Sequence, residues 1–305
     1  MRYSIVIPVY NGELTLEKLN KRIHGFFENK YLFEVIYVYD CGEDNSWDVL
    51  LRLKYEYPDT IKLIHLSRNF GQHNALICGF EYATGEYIVT MDEDLQHAPE
   101  DIQKMIDKQA EKEYDVVYGK YELRKHSSFR NIGSWMLKKI IDIGIPDIHP
   151  DYSAFRLIKT SVAKKCVGMR NSYTFLDGYL SWITCHCDSC IVTHHEREGG
   201  VSAYNLKKLI NHTINIFVTF SNLPIRFLTK LSFLVLFTMS IYSLYVIIRK
   251  FIYDDFALGF PSLVIIIGFG IGLIMLSLGI IGEYIYRINL KTTQRPNYNT
   301  KKIIL

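Results

Sequence analysis

Two long stretches of the 305-residue chain lack every charged side chain. Residues 231–248 and 256–282 contain no Asp, Glu, Lys or Arg. The first stretch would form a helix about 27 Å long, close to the hydrocarbon core of a bilayer at about 30 Å. Buried helices of a soluble core are the alternative, but they rarely stay uncharged over such lengths. We therefore expect two transmembrane helices.

The chain also lacks a strong excess of charge of one sign. It has 35 Lys+Arg against 32 Asp+Glu, a formal net charge of +3, which argues against nucleic acid as a partner because nucleic-acid binding usually needs a clustered basic surface. Basic residues flank the two expected spans on their outer sides, at Arg226, Lys230, Arg287, Lys291 and Arg295. Basic flanks favour the cytoplasmic side. We expect an integral inner (cytoplasmic) membrane protein whose two termini and main domain are cytoplasmic.

Cysteine is scarce, and its six residues all precede the first expected span, as in a domain kept reduced. Three of them form the pattern Cys185-x-Cys187-x-x-Cys190, with three histidines nearby. Zinc could bind there, but the spacing differs from that of paired C-x-x-C sites. Period-2 alternation predicts that Cys185 and Cys187 share one face of a strand, where thiols pack well. Structural thiols are the favoured interpretation, and a metal site stays open.

Short apolar strands alternate with helical patterns before the uncharged stretches. Strands are predicted over 3–9, 34–39, 61–66, 87–91 and 115–118, and helices over 13–29, 46–57, 71–83 and 99–112. This alternation predicts an α/β fold with a doubly wound, mostly parallel sheet. Four segments are expected: an α/β domain over 1–205, juxtamembrane helices over 206–230, a transmembrane hairpin over 231–287 and a cytoplasmic tail over 288–305.

Polar and acidic residues cluster where three of these strands end, at 11–13, 40–44 and 92–96. Ligands of doubly wound sheets bind at this edge. Asp92, Asp94 and Gln96 form an all-oxygen set that suits Mg²⁺ or Mn²⁺ and suits zinc or copper poorly. An ordinary acidic loop that caps the helix starting near Pro99 is the alternative. The position directly after an apolar strand favours the ion site.

Several segments match the motifs of one family. They are Ser4-Ile-Val-Ile-Pro-Val-Tyr-Asn-Gly-Glu13, Leu66-Ser-Arg-Asn-Phe-Gly-Gln-His73, Met91-Asp-Glu-Asp-Leu-Gln96, Phe155-Arg-Leu157, Arg197-x-x-Gly200-x-Ser202-x-Tyr204 and Gly282-Glu-Tyr284-x-x-Arg287. Together they resemble the inverting family-2 glycosyltransferases of GT-A fold, which is Rossmann-like. Within that family the sequence is most similar to the polyprenyl-phosphate glycosyltransferases of the dolichyl-phosphate mannose synthase and bactoprenol glucosyltransferase type.

The resemblance implies roles for individual residues. Asp92, Asp94 and Gln96 would hold Mg²⁺ or Mn²⁺, which stabilises the diphosphate leaving group. Asp94 and Arg197 would be catalytic, together with Asp151, which would orient the acceptor or act as a base. The residues implied in binding the nucleotide sugar, with UDP favoured, are Pro8, Tyr10, Asn11, Glu13, Asp40, Asn69, Gln72 and Asp92.

The family's acceptor would be polyprenyl (undecaprenyl) phosphate, which is already ionised and needs positioning more than deprotonation. Arg124, Arg130 and Arg156 are the predicted acceptor-binding residues; a solvated helix face is the alternative for them. Two cations of the family pattern are missing, because Tyr121 replaces an Arg found in many members and Ala203 replaces a usual Lys.

Asp177 adds a carboxylate where a basic residue is common in the family. Fewer cations and one more carboxylate leave open a hydroxyl acceptor on a lipid-linked glycan, with Asp151 or Asp177 as the base. An inactive membrane scaffold or translocation partner is the rival from another class, and the intact acidic residues argue against it.

Residues 206–230 mix apolar and basic side chains, which predicts amphipathic helices on the cytoplasmic leaflet of a lipid bilayer. A helix packed against the soluble domain is the alternative. Gly268, Gly270 and Gly272 in the second uncharged stretch permit close helix packing, within the hairpin or between subunits of a homo-oligomer.

Overall fold

The computed structural model describes residues 1–121, 145, 147–169, 171, 173–193, 259–292 and 296–305, together with scattered positions between 215 and 252. Its strands are β1 (Arg2–Val9), β2 (Leu32–Tyr39), β3 (Ile61–Leu66), β4 (Tyr87–Thr90), β5 (Val116–Tyr121), β6 (Arg156–Lys159), β7 (Cys187–Val192) and β8 (Thr300–Ile304). Its helices are α1 (Leu16–Phe27), α2 (Ser46–Glu56), α3 (Gln72–Tyr82), α4 (Ile102–Lys112), α5 (Thr160–Val167), α6 (Leu176–Ile183) and α7 (Phe260–Thr292). A 3-10 turn, Pro99–Asp101, precedes α4. The five strands and four helices predicted from the sequence are confirmed, with ends that shift by up to three residues.

The eight strands form one mixed sheet in the order β7-β5-β6-β4-β1-β2-β3-β8. Four of its seven pairings are parallel and three are antiparallel, so the mostly parallel sheet is confirmed by a small margin. The antiparallel pairings come from β6, between β4 and β5, and from β8 at the edge. Since β6 opposes both neighbours, β1 to β5 all point the same way and their carboxyl ends share one edge.

The core lies on both faces of the sheet. Ile5 and Ile7 of β1 pack into one buried cluster, whereas Val6 between them packs into the other. This alternation follows from the period of two in a strand. On the second face α3 lies very close to β1, and a Cβ at Gly79 would overlap the Val6 side chain. The first residue of α3 lies near the edge where the strands end, because only residues 67–71 separate α3 from the carboxyl end of β3.

The segment predicted as a cytoplasmic tail over 288–305 contributes a strand to the sheet. Helix α7 runs on to Thr292, and β8 pairs antiparallel with β3. Asn299 accepts the Ser67 N–H through its backbone carbonyl at 2.8 Å, and the Tyr298 hydroxyl donates to Glu81 at 2.8 Å. The sequence 300–304 has little apolar character apart from its two isoleucines, so its strand depends on the partner that β3 provides.

Within the described residues, one helix is long and apolar enough to cross a bilayer by length and composition, over Phe269–Asn289. It overlaps the predicted span over 256–282 at residues 269–282 and extends beyond it to Asn289. The stretch 231–248 is described at 11 of its 18 positions, all of them helical, and a second span stays a prediction. The juxtamembrane segment is described at a few positions, where Arg287 of α7 donates to Asn215 and Thr219 and Tyr284 donates to the Ser221 carbonyl.

Candidate active site

Because β1 to β4 are parallel, the loops that follow them lie at one edge of the sheet. These loops are residues 10–15, 40–45, 67–71 and 91–98. The polar clusters predicted at strand ends therefore lie on a common edge. Two of these loops are joined directly. Asn11, in the left-handed region with φ 59°, accepts the Glu43 N–H at 2.7 Å. Glu13 accepts the backbone and side-chain N–H groups of Asn45 at 3.2 and 3.1 Å, so Asn11 and Glu13 shape one wall of the site.

Tyr10 and Pro8 differ in their access to this edge. Tyr10 is 42% exposed, and its N–H donates to the Glu93 carboxylate at 3.4 Å. Pro8 is buried inside β1, opposite Val38 of β2. Nucleotide binding by Pro8 stays a prediction, and its burial places it in the strand beneath the exposed Tyr10.

Asp40 holds the loop that follows β3. Its side chain is 3% exposed, and its two carboxylate oxygens accept the N–H groups of Phe70 and Gly71 at 2.7 and 2.8 Å. Gly71 has φ 88°, a backbone conformation that suits glycine. Burial raises the pKa of Asp40, and the two backbone donors act in the opposite direction. The structure thus gives Asp40 a loop-holding role in addition to any nucleoside contact.

The same loop reaches the acidic residues after β4. Asn69 is exposed within it, and Gln72 is the first residue of α3. The Gln72 side-chain amide donates to Asp92 Oδ1. One short segment, residues 69–72, thus joins the side of the site near Asp40 to the side near Asp92.

The loop that follows β4, residues 91–98, is compact and carries three carboxylates, and we call it the acidic loop. Asp92, Glu93 and Asp94 are half-buried, and Asp94 Oδ1 accepts the Gln96 N–H at 3.1 Å. Burial, and then the charges of Asp92 and Asp94, raise the pKa of Glu93 to about 8. Burial and the same two charges also raise the pKa of Tyr121 at the end of β5. Burial is the larger cause of both shifts, and the adjacent carboxylates of Asp92 and Asp94 act in the same direction.

A divalent cation fits this arrangement. In the described part of the chain no three His, Cys, Asp or Glu side chains form a complete set of ligands. Asp92 and Asp94 supply two carboxylates, and Gln96 lies on the same loop with an amide oxygen. Mg²⁺ and Mn²⁺ sites of this type are completed by substrate phosphates and water. The cation would also offset the charge that raises the pKa of Glu93.

Arg156 is not at the surface, and the structure corrects the prediction that it binds the acceptor. Its guanidinium is 2% exposed and makes a bidentate ion pair with Asp177 at 2.6 and 2.7 Å. Burial alone would lower the pKa of Arg156, but the Asp177 charge outweighs it and raises the pKa. Since Asp177 is equally buried, it is not placed to serve as the base for a hydroxyl acceptor.

Asp151 lies among polar partners near the ends of β5 and β7. Its Oδ2 accepts from Lys120 at 3.0 Å and from the Ser189 hydroxyl at 2.9 Å. Burial would raise the pKa of Asp151, but these two donors lower it. An ionised carboxylate with a low pKa orients a partner better than it takes up a proton.

Three predicted residues, Arg124, Arg130 and Arg197, lie outside the described residues. Sequence reasoning missed two groups that the structure brings to the site region. Lys120 is half-exposed and pairs with Asp151. His97 directly follows the predicted ion-binding residues, and its ring nitrogen accepts the Asp92 N–H at 3.0 Å. Its place in the acidic loop was the available signal.

The cysteine pattern is only partly as predicted. Cys185 is exposed and precedes β7, so it does not share a strand with Cys187. Cys187 and Cys190 pack against the two opposite core clusters. Burial raises the pKa of the Cys187 thiol to about 12 and that of Cys190 to about 11. Half-buried thiols with raised pKa values on opposite faces of the sheet favour the structural interpretation.

Comparisons of the sequence with known proteins agree with this geometry. The model of the family "Glycosyl transferase family 2" matches residues 4–167. The uncharacterized glycosyltransferase YkcC of Bacillus subtilis (strain 168) is 32% identical over 99% of this chain and 94% of its own. The prophage bactoprenol glucosyl transferase homolog of Escherichia coli (strain K12) is 31% identical over 99% of both chains.

Solved structures share the fold. S. aureus TarS 1-349 in complex with UDP-GlcNAc has a TM-score of 0.50 and 17% identity, covering 72% of this chain and 66% of its own. Glucosyl-3-phosphoglycerate synthase from Mycobacterium tuberculosis, in complex with Mn²⁺, UDP-glucose and phosphoglyceric acid, has a TM-score of 0.52 and 12% identity, covering 72% and 78%. The mixed sheet and these neighbours support the GT-A fold expected from the sequence motifs.

Proposed function

The chain belongs to glycosyl transferase family 2, and on that premise we propose that it transfers a sugar from a nucleotide sugar to polyprenyl phosphate at the cytoplasmic face of the membrane. The observation that carries the proposal is the connection between two parts of the sheet edge. Phe70 and Gly71 donate to Asp40, and the next residue, Gln72, donates to Asp92 of the acidic loop. A nucleoside diphosphate has the same two-part character, a base with ribose at one end and anionic phosphates at the other.

The described residues at the sheet edge would have separate roles in this reaction. Tyr10, Asn11 and Glu13 form the wall that receives the nucleoside, and Asp40 holds loop 67–71 against it. Asp92, Asp94 and Gln96 hold Mg²⁺ or Mn²⁺. When bound, the cation neutralises the charge that develops on the leaving diphosphate.

Two observations support a lipid-linked acceptor. The apolar helix over Phe269–Asn289 is suited to a bilayer, and the relatives that match over the whole length include proteins named for bactoprenol. We propose undecaprenyl phosphate as the acceptor, with Arg124 and Arg130 as its binding residues and Arg197 acting on the diphosphate. Two membrane spans, cytoplasmic termini and a UDP-sugar donor belong to the same proposal, as does packing of the glycine-containing helix within the hairpin or between subunits.

A hydroxyl acceptor on a lipid-linked glycan is the second candidate. The observation that favours it is Asp151, whose partly exposed carboxylate lies beside Lys120 at the ends of β5 and β7. In that reaction Asp151 would accept the proton of the attacking hydroxyl. Its lowered pKa makes it a weak base, so the phosphate acceptor is the favoured reading.

The test uses the purified full chain in detergent with Mn²⁺ or Mg²⁺, a panel of UDP-sugars, and either undecaprenyl phosphate or extracted lipid-linked glycans. We expect sugar transfer to the monophosphate, and loss of that transfer in Asp94→Asn. Asp107→Asn, the same chemical change at an exposed site on α4, should leave transfer unchanged. Transfer to glycan lipids alone would establish the second candidate. No transfer and no metal-dependent UDP binding would favour an inactive scaffold.

A further inference from the structure

The acidic loop is closed by a hydrogen bond across its base. The backbone N–H of Asp92 donates to Nδ1 of His97 over 3.0 Å, so residues 92–97 form a tight ring that opens toward the site. A backbone N–H can only donate, so Nδ1 must present its lone pair and the ring proton must sit on Nε2. His97 is thus a neutral imidazole whose acceptor nitrogen is already in use.

The loop holds a strained backbone conformation within that ring. Leu95, between Asp94 and Gln96, has φ 64° and is 2% exposed. A bulky side chain rarely adopts the left-handed region, and such a conformation persists only when its surroundings enforce it. The loop therefore needs an external constraint, and the contact between Asp92 and His97 supplies one at the point where the ring closes.

His97 is itself held in place by a stack of parallel rings. Its ring centroid lies 5.0 Å from that of Phe155, with an interplanar angle of 8°, and 6.1 Å from that of Tyr121, with an angle of 5°. His97 is 3% exposed and Phe155 is fully buried. The stack ties the acidic loop to β5 and to the residue that precedes β6, so the imidazole cannot turn away from Asp92.

We propose that His97 is the positioning residue of the cation site. Its Nδ1 fixes the Asp92 backbone, so that the carboxylates of Asp92 and Asp94 are directed at one cation before substrate arrives. This inference rests on the proposed function for the cation itself. His97 does not bind the cation, because its ring is buried and its Nδ1 accepts from Asp92. Groups that orient metal ligands commonly change metal affinity by about 10- to 100-fold when removed.

Two substitutions separate the hydrogen bond from the stack. His97→Phe keeps a flat ring between Phe155 and Tyr121 but has no acceptor for the Asp92 N–H. His97→Asn gives up the ring but can place its Oδ1 near the position of Nδ1, so an acceptor is restored. A purely structural role for His97 would make the smaller Asn the more damaging change.

The experiment measures Mn²⁺ binding to the full chain in detergent by the electron paramagnetic resonance signal of free Mn²⁺. It is done once without donor or acceptor and once with UDP, whose phosphates complete such a site, against a protein-free sample of Mn²⁺ and UDP. Thermal unfolding without metal is recorded for each variant. We expect His97→Phe to bind Mn²⁺ at least about tenfold more weakly than wild type with a similar melting temperature, and His97→Asn to regain most of the affinity.

Wild-type affinity in His97→Phe would overturn the proposal for His97 while leaving the cation site intact. Equal loss of affinity in both variants would also overturn it, because the acceptor would then not be the deciding group. If wild type binds no Mn²⁺ either alone or with UDP, the cation part of the proposed function fails, and the inference for His97 fails with it.

Discussion

Arg156 and Asp177 face each other in a bidentate ion pair below the acidic loop, with Nε to Oδ1 at 2.7 Å and Nη2 to Oδ2 at 2.6 Å. Each side chain is 2% exposed. The remaining guanidinium nitrogen, Nη1, donates to the Thr90 hydroxyl at 3.2 Å and to the Ala154 carbonyl at 3.1 Å. The pair thus connects α6, β6 and the end of β4, two residues before Asp92.

Asp177→Asn should destabilise the protein, because it leaves the guanidinium of Arg156 buried without its counter-charge. Breaking one side of such a pair costs about 3–5 kcal/mol. Chemical unfolding of the full chain in detergent measures the change. The double variant Arg156→Met with Asp177→Leu removes both charges and should recover part of the loss. An Asp177→Asn protein that unfolds like wild type would show that the pair contributes nothing.

Glu34 predicts a dependence of stability on pH. It is 1% exposed and accepts from Ser4 at 2.6 Å, from the Thr84 N–H at 2.7 Å and from Lys62 at 2.7 Å. Burial would raise the pKa of Glu34, but these donors outweigh burial and lower it. A lowered pKa in the folded state means that the carboxylate stabilises the fold above its unfolded pKa of about 4.3 and loses that contribution as the pH falls further.

Glu34→Gln should therefore melt below wild type at pH 7, and the two melting temperatures should converge as the pH falls through 4. Thermal unfolding at several pH values measures both. Glu17→Gln is the matched control, because Glu17 is 60% exposed in its ion pair with Arg52 and such surface pairs contribute about 0–1 kcal/mol. A difference in melting temperature between Glu34→Gln and wild type that stays constant with pH would contradict the lowered pKa of Glu34.

The sequence predicted the strands that alternate with helices and could not predict those that depend on distant partners. The apolar pattern of each of the strands β1 to β5 can be recognised in its own short segment of sequence. β6 has only four residues, and it forms because β4 and β5 accept it from both sides. β8 was missed because it is short and half polar, and its pairing with β3 joins residues more than 200 positions apart.

For the candidate site, the sequence predicted where functional residues lie better than it predicted what each of them does. Asp92 and Asp94 could be placed from their order after a strand. The role of Asp40 could not, because its two backbone donors come from a loop 30 residues further along the chain. Arg156 is predicted to bind the acceptor because a phosphate acceptor needs basic residues, and nothing in its local sequence shows that it pairs with Asp177 in the core.

Asp40→Ala should weaken donor binding more than it slows the chemical step. The substitution removes the acceptor of the Phe70 and Gly71 N–H groups, so loop 67–71 and Gln72 lose their fixed position. Losing two buried hydrogen bonds should raise the KM for the sugar nucleotide by about tenfold or more. Initial rates across donor concentrations measure this, with Asp40→Asn as the milder variant because its amide oxygen keeps one acceptor. An unchanged KM in Asp40→Ala would mean that the loop holds its place without Asp40.

Removal of residues 300–305 should destabilise the catalytic sheet, although the segment follows the apolar helix α7. β8 covers the edge of β3, and Ile304 packs against the buried cluster that contains Leu63. Losing one apolar side chain and several ladder hydrogen bonds should cost at least about 2 kcal/mol. The melting temperature of the full chain in detergent measures the loss. Deletion of Leu305 alone is the control, because it is 67% exposed and follows the strand. Equal melting temperatures for the chain without 300–305 and for wild type would show that β3 needs no edge partner, since the strand would then add no stability to the sheet it completes.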